Sequence, residues 1–311
     1  MKAVRYHEYG DSSVMQVEDI ERPQPGPDQV LVQVAATSFN AVDAAIRAGY
    51  LQGDFPIRLP HTPGLDVAGT VADLGQGVSG FTVGDAVIGF LPMNEDGAAA
   101  DLVVAPASTL TAAPTSIPLA DAAALPAAAL TAWQALFEHA DLKAGQRILI
   151  NGAGGGVGGY AIQLAREAGA TVIATASPRS TGAVTEDGAD QIVDYTSTSL
   201  PDAVTEPVDA VLNLVRSSDE DLATLTGLVR PGGVIVSTAA TAKDDPQRNV
   251  RAINMFVRSD ATQLAAIVAR VDAGDLRVDI SGRYLLAEIA RAHDRSAAGE
   301  IRGKVLLLPG S

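Results

Sequence analysis

The sequence predicts an α/β chain in which a β-rich first part precedes a doubly wound parallel sheet. Three observations predict it. A strand, a glycine turn, a helix and a second strand follow one another within Arg147–Ser177. Helix-period and strand-period segments keep alternating after it, and residues 1 to about 115 are cut into short β segments by turn residues. Alternation of that kind implies parallel strands covered by helices on both faces.

In chain order, Gln29–Val34 (QVLVQV) alternates as a half-buried strand does, after the turn-rich PQPGPDQ. Val67–Leu74 and Asp85–Phe90 read as further strands, punctuated by Gly75, Gly77, Gly80 and Gly84. Strands so closely spaced suggest a barrel. Ala122–Ala140 is Ala-rich and helical in period. Ile148–Ile150 is a short apolar run stopped by glycines, which reads as a buried strand. Val157, Tyr160, Ala161, Leu164, Ala165 and Ala168 then recur at helical spacing. Gly169 ends that helix, and Thr171–Ala176 is β-branched and apolar enough for the next strand. Beyond it, Gln191–Val193 and Asp209–Val215 are strand-like and Leu222–Val229 is helical. The turn Pro231-Gly232-Gly233 opens Val234–Thr238, Ala261–Asp272 is an amphipathic helix, and Gly303–Leu308 reads as a last strand placed to rejoin the first part.

The glycine turn carries the chemistry. The fingerprint G-x-G-x-x-G is met as Ala153-x-Gly155-x-x-Gly158, with Gly152, Gly154, Gly156 and Gly159 beside it and Ala in the first position. A lone glycine motif is weak evidence, but between a strand and a helix it marks a dinucleotide site. Free N–H groups and the helix dipole attract a pyrophosphate, and side chains there would hold it away. Strands that bind NAD usually end in Asp or Glu about 20 residues on, to hold the ribose 2′-OH. Here Ser177 stands at that place, nineteen residues after Gly158, and Arg179 follows. A hydroxyl with a guanidinium suits a 2′-phosphate, so NADPH is the expected cofactor.

Composition narrows the class. The chain has 311 residues, 47% of them hydrophobic and 19% charged, as in a globular protein of one or two domains. No apolar run reaches about 18 residues, so no membrane span is expected. MKAVRYHEYG lacks a signal-peptide pattern, and with no cysteine for disulfides a cytoplasmic location is the expectation. A net charge of −15 argues against nucleic acid as a partner.

Nearly the full length resembles the zinc-free quinone oxidoreductase family of the medium-chain dehydrogenase/reductase superfamily. The resemblance is carried by Ser38-Phe39-Asn40-Ala41-Val42-Asp43, Ile46-Arg47-Ala48-Gly49-Tyr50 and Pro63-Gly64-Leu65-Asp66-Val67-Ala68-Gly69-Thr70-Val71. It continues through Gly84-Asp85-Ala86-Val87, Leu130-Thr131-Ala132-Trp133, the glycine turn, Val208-Asp209-Ala210-Val211 and Arg302-Gly303-Lys304. It implies a GroES-like β-barrel catalytic domain from 1–116 and 276–311, and a Rossmann NADP(H)-binding domain from 117–275. Substrate and nicotinamide would meet between them, and a homodimer is usual. Zinc-dependent relatives place a Cys within the segment matching Thr37–Asp43, and His-Glu after the glycine matching Gly64. This chain has no cysteine and carries Leu65-Asp66 there. His7, His61, His139 and His293 are scattered, so no metal is expected.

The resemblance also assigns residues. Asn40 matches an Asn near the nicotinamide, Tyr50 an active-site phenol of some relatives, and Asp43 is the third catalytic candidate in the same loop. Thr131 opens a segment under the nicotinamide, and Tyr195 flanks the adenosine 2′-phosphate beside Ser177 and Arg179. Ala153, Gly155, Gly156, Val157 and Gly158 form the phosphate turn. Asn213, Val215, Ser237 and Thr238 stand where strands of the open sheet end, and Phe256-Val257 matches a segment over the cofactor. Arg302 is a candidate for cofactor phosphate, whereas Lys304 reads more readily as a surface cap. Without zinc, a hydride acceptor must be electrophilic in its own right, which favours a quinone over a simple ketone. The expectation is a small-molecule reductase of quinones or related electrophilic carbonyl compounds. The alternatives are an enone or 2-alkenal double-bond reductase and a non-catalytic NADPH-binding sensor.

Overall fold

A computed structural model of the chain describes residues 1–310. The chain opens with an antiparallel pair, β1 (Lys2–Arg5) and β2 (Gln16–Asp19). There follow β3 (Gln29–Ser38), α1 (Ala41–Arg47), β4 (Asp66–Leu74), β5 (Ala86–Phe90), β6 (Leu102–Pro106), β7 (Leu110–Ala112) and α2 (Pro126–Trp133). The alternating region holds β8 (Arg147–Asn151), α3 (Gly156–Glu167), β9 (Thr171–Ala176), α4 (Thr181–Asp187) and β10 (Gln191–Asp194). It continues with α5 (Leu200–Ala203), β11 (Val208–Asn213), α6 (Asp219–Leu228), β12 (Val229–Ser237) and β13 (Arg251–Asn254). The chain ends with α7 (Ala261–Ala273), β14 (Ile280–Leu285), α8 (Ile289–Ala297) and β15 (Lys304–Leu308).

Two compact units result: Met1–Leu130 with the chain from Arg258 onward, and Thr131–Val257. Residues 117–130 and 258–275, grouped with the second part in the sequence reading, therefore pack with the first.

The first unit is organised on β3. β4 runs along one edge of it from Val30 to Ala36, and β6 takes the other edge from Gln29 to Gln33. Where β6 stops, β15 returns from the far end of the chain and pairs with Thr37 and Ser38. Register shifts against β4 bend the strand, as bulges do. The sheet extends as β14-β15-β3-β4-β5-β7, and Val30, Val32, Val67, Val71, Val87 and Val103 fill one core beneath it.

The second unit is a six-stranded sheet, all parallel, in the order β10-β9-β8-β11-β12-β13. The chain winds outward from β8, returns to the centre, and winds outward again from β11. Between β8 and β11 the connections leave in opposite directions, which makes the crevice where such sheets bind ligands. Ile148, Leu149 and Ile150 are buried on both faces, which is why β8 reads as an unbroken apolar run.

The helix read over Ala122–Ala140 is broken into three. Pro126 has no N–H to donate, so a 3-10 turn (Leu119–Ala124) stops before it and α2 starts on it. A π turn, Gln134–His139, closes the segment. Two strand limits also move. β11 stops at Asn213, leaving Val215 beyond it, and β12 begins at Val229 and runs through Gly232, whose φ is 80°.

Gly158 sits where α3 crosses close to the turn: a Cβ there would lie 2.2 Å from the Ala153 carbonyl oxygen. Gly158→Ala is expected to destabilise the chain by about 1–3 kcal/mol in urea unfolding, the usual cost of forcing an extra carbon into packed backbone.

Candidate functional site

The turn after β8 is built of glycines for separate reasons. Gly152 has φ 90°, a left-handed angle, and the Val215 side chain lies 2.6 Å from where its Cβ would be. Gly154 is covered by Ser180, whose Cβ is 2.5 Å from that point. Gly155 is different: it is exposed, and a Cβ there would meet only the Gly152 carbonyl oxygen at 3.4 Å. It is the N-cap of α3, whose first N–H groups have no acceptor inside the helix and whose first turn carries no acid. Bare main chain, open space and a positive helix end fit a pyrophosphate.

Most of the other residues read as cofactor contacts lie at the carboxyl ends of the parallel strands, Thr131 in α2 and Arg302 before β15 being the exceptions. Ser177 and Arg179 follow β9, and the loop they form reaches the turn through Ser180 against Gly154. Tyr195, Val215 and Phe256 follow β10, β11 and β13 and are 58%, 39% and 51% exposed, large side chains left exposed at the carboxyl end of the sheet. Thr238 and Val257 are half-buried beside them, Val157 lies in the first turn of α3, and Ala153 and Thr131 are buried. Asn213 and Ser237 behave otherwise: both are buried, and Asn213 spends its amide on Val215, Ser237 and Asn151.

In the first unit, Asn40, Asp43 and two residues outside the candidate set form one cluster. Asp66 is 0% exposed. One of its oxygens accepts from the Ala127 N–H at 2.7 Å, at the start of α2. The other accepts from Ser38 Oγ, from Asn40 Nδ2 at 2.8 Å and from Lys304 Nζ at 3.3 Å. Lys304 is not the surface cap its place in the tail suggested. It is 3% exposed, and its ammonium also donates to Asn40 Oδ1 at 2.7 Å and to the Phe39 carbonyl at 3.2 Å. Both ends of the Asn40 carboxamide are therefore held, one by Lys304 of β15 and the other by Asp66 of β4.

Asp43 lies 5% exposed at the start of α1, accepting from the Asn40 N–H at 3.0 Å and the Gly64 N–H at 3.2 Å. Burial, and then the Asp66 charge, push its carboxyl up to about 7. The buried Tyr6 hydroxyl nearby is held well above the usual phenol range by burial and by Asp43. Tyr50 projects outward, 73% exposed. Arg302 is engaged by Asp279 at 3.1 Å.

The histidines stay apart. His7 meets Glu18 at 2.6 Å on the surface, and His61 packs edge-on against Tyr6. His293 accepts from Arg47 at 2.7 Å, and burial and that cation hold its pKa down to about 3. Among the described residues, no three His, Asp or Glu side chains converge. Asp66, Thr175 and Asn151 were not among the residues the sequence singled out for the site, and Lys304 was singled out only as a surface cap. The available signal was a charge or hydroxyl interrupting an apolar strand, as in Asp66-Val67-Ala68 and Lys304-Val305-Leu306.

Comparison with known proteins matches this architecture. Residues 26–115 fit the family model described as an alcohol dehydrogenase GroES-like domain, and residues 188–307 the one described as a zinc-binding dehydrogenase. These two models define a medium-chain dehydrogenase/reductase. The chloroplast envelope quinone oxidoreductase homolog of Arabidopsis thaliana is 32% identical over 99% of this chain and 98% of its own length. The solved quinone oxidoreductase of Coxiella burnetii superposes with a TM-score of 0.89 at 30% identity, covering 100% of this chain and 99% of that one. A mycobacterial structure complexed with NADPH gives 0.88 at 27% identity over 99% of this chain and 100% of its own. The chain belongs to the quinone oxidoreductase family of the medium-chain dehydrogenase/reductases, and it is an oxidoreductase.

Two measurements follow from the buried charges. Lys304→Met is expected to cost about 3–5 kcal/mol, because it strands the Asp66 carboxylate, and the double variant with Asp66→Asn to recover part of that. Asp43 has its folded pKa, about 7, above its ordinary value of 3.8, so its contribution to stability is present at low pH and is lost as pH rises between them. His293, depressed from 6.5 to about 3, contributes the opposite slope, losing stability as pH falls. In urea unfolding at about pH 5 and about pH 7.5, Asp43→Asn is expected to gain more, or lose less, stability with rising pH than the parent chain.

Proposed function

We propose that this protein is an NADPH-dependent reductase of quinones or related electrophilic carbonyl compounds, working without a metal. The reading is carried by the turn at Gly155, where exposed main chain at a helix N-terminus leaves room for a phosphate that any side chain would fill. The relative solved with NADPH supports the choice of cofactor. So does the end of β9, where Ser177 and Arg179 stand with no carboxylate to repel a 2′-phosphate.

When bound, the nicotinamide supplies the hydride. Gly156 and Val157 offer N–H groups to the pyrophosphate over the bare Cα of Gly155, whose own N–H is donated to the Gly152 carbonyl at 3.1 Å, and Ser177, Arg179 and Tyr195 hold the adenosine end. Thr131, Val215, Thr238, Phe256 and Val257 complete the cofactor contacts, with Arg302 as a further cation. On the substrate side, Tyr50 has an outward phenol that can donate to a reduced oxygen, and Asp43 retains a proton close to neutral pH. Asn40 contributes by holding its loop, since its carboxamide is committed to Lys304 and Asp66. The acceptor must be electron-poor because these groups polarise a carbonyl less than a Lewis acid does. A homodimer in the cytoplasm is part of the same proposal.

The test is NADPH and NADH affinity for wild type, Gly155→Ala and Arg179→Ala. At φ −88° alanine is tolerated at 155, so the unfolding midpoint should hold while both dinucleotides bind about tenfold or more weakly, as a charge-assisted hydrogen bond is lost. Arg179→Ala should lose the preference for NADPH and leave NADH unchanged. Wild-type affinities in Gly155→Ala would remove the turn from the account.

A further inference from the structure

Every residue of β9 after Thr171 is buried, and Thr175 is the single polar side chain among them, 1% exposed. A hydroxyl at such a place must find partners, and no step of the proposed chemistry uses it. Its oxygen accepts from the Gly152 N–H at 2.8 Å, the residue whose left-handed angle starts the phosphate turn. Its proton goes to Asn151 Oδ1 at 3.1 Å. Asn151 Nδ2 then donates to Asn213 Oδ1 at 2.9 Å, its register partner on the neighbouring strand β11. Asn213 Nδ2 donates to Ser237 Oγ at 3.2 Å, and Ser237 Oγ to the Ala240 carbonyl at 2.6 Å.

The result is a strut of neutral hydrogen bonds across four strand ends, β9, β8, β11 and β12, with every donor pointing the same way. Bonds so aligned polarise and stiffen one another in a low-dielectric interior. The strut begins on the glycine turn and ends in the loop after β12. Asn213 and Ser237, which their place at strand ends offered as cofactor contacts, have their side-chain polar atoms committed within it.

We propose that Thr175 is a positioning residue for dinucleotide binding. It touches no ligand. By accepting the Gly152 N–H it fixes the turn that presents Gly155, and through Asn151, Asn213 and Ser237 it sets the spacing of the strand ends around the crevice. The inference rests on the reading of the turn as a pyrophosphate site. Valine has the shape of threonine and cannot accept the bond, so in Thr175→Val the Gly152 N–H must turn elsewhere and carry Gly154 and Gly155 with it.

The test measures dissociation constants for NADPH and NADH on the full chain with Thr175→Val and Thr175→Ser. Thr175→Val should weaken both dinucleotides about equally, by roughly tenfold, the order set by one unpaired buried donor. Its kcat at saturating NADPH should stay within about twofold of wild type, since only binding is altered. Thr175→Ser, which keeps the hydroxyl, should bind like wild type. Exchange of the Gly152 amide, followed without nucleotide, should be slow in wild type and Thr175→Ser and fast in Thr175→Val. Wild-type affinity in Thr175→Val, failure of Thr175→Ser to restore it, or a loss confined to NADPH overturns the proposal. If wild type binds neither dinucleotide, the functional reading fails, and the Gly152 amide still reports separately whether Thr175 holds the turn.

Discussion

A carboxylate with no solvent around it must be saturated by donors, and Asp66 is where the first unit meets that requirement. Four groups satisfy it, drawn from β3, the loop before α1, the first residues of α2, and β15. Elements nearly the whole chain apart are thus obliged to meet at one point. Taking a carboxylate out of water is expensive, and only a complete set of partners offsets it. The same demand explains why β15 must come back to β3, and why its first residue is a lysine inside a run that is otherwise Val and Leu. The candidate loop with Asn40 and Asp43 takes its shape from this ion pair.

The second unit solves a related problem without charge. Its binding edge is where six parallel strands end, so polar groups must be present there yet anchored. Thr175, Asn151, Asn213 and Ser237 bond to one another in series, leaving the outward positions to Tyr195, Val215 and Phe256. Neutral partners in this series add no negative charge at the strand ends beside the phosphate turn proposed for a dinucleotide. One unit therefore fixes its loop with an ion pair and the other with amides and hydroxyls.

Much of the fold was legible because its signals are local. Ile148–Ile150, the glycines after them and the helical spacing from Val157 to Ala168 identify β8, the turn and α3 with no knowledge of what lies around them. The helix over Ala122–Ala140 was misjudged because composition outweighed Pro126, a single residue whose missing N–H divides the segment. In the candidate site, Gly155 and Ser177 were read from motif and strand position, and Tyr195 from the family resemblance. Lys304 was misjudged because a lysine near the end of a chain is ordinarily solvated, and nothing local reveals a carboxylate 238 positions earlier.

The sequence by itself determined the alternation of elements, the glycine turn, the absence of a carboxylate after β9 and the lack of cysteine. These depend on residue type and short spacing, which chain chemistry expresses locally. Tertiary structure alone decided that Asp66 and Lys304 pair, that Asn40 is held at both ends, and that Thr175 bonds to Gly152. Each of those is a meeting of a donor with an acceptor far along the chain, and a hydrogen bond acts only over about 3 Å, a distance that folding and not sequence separation sets.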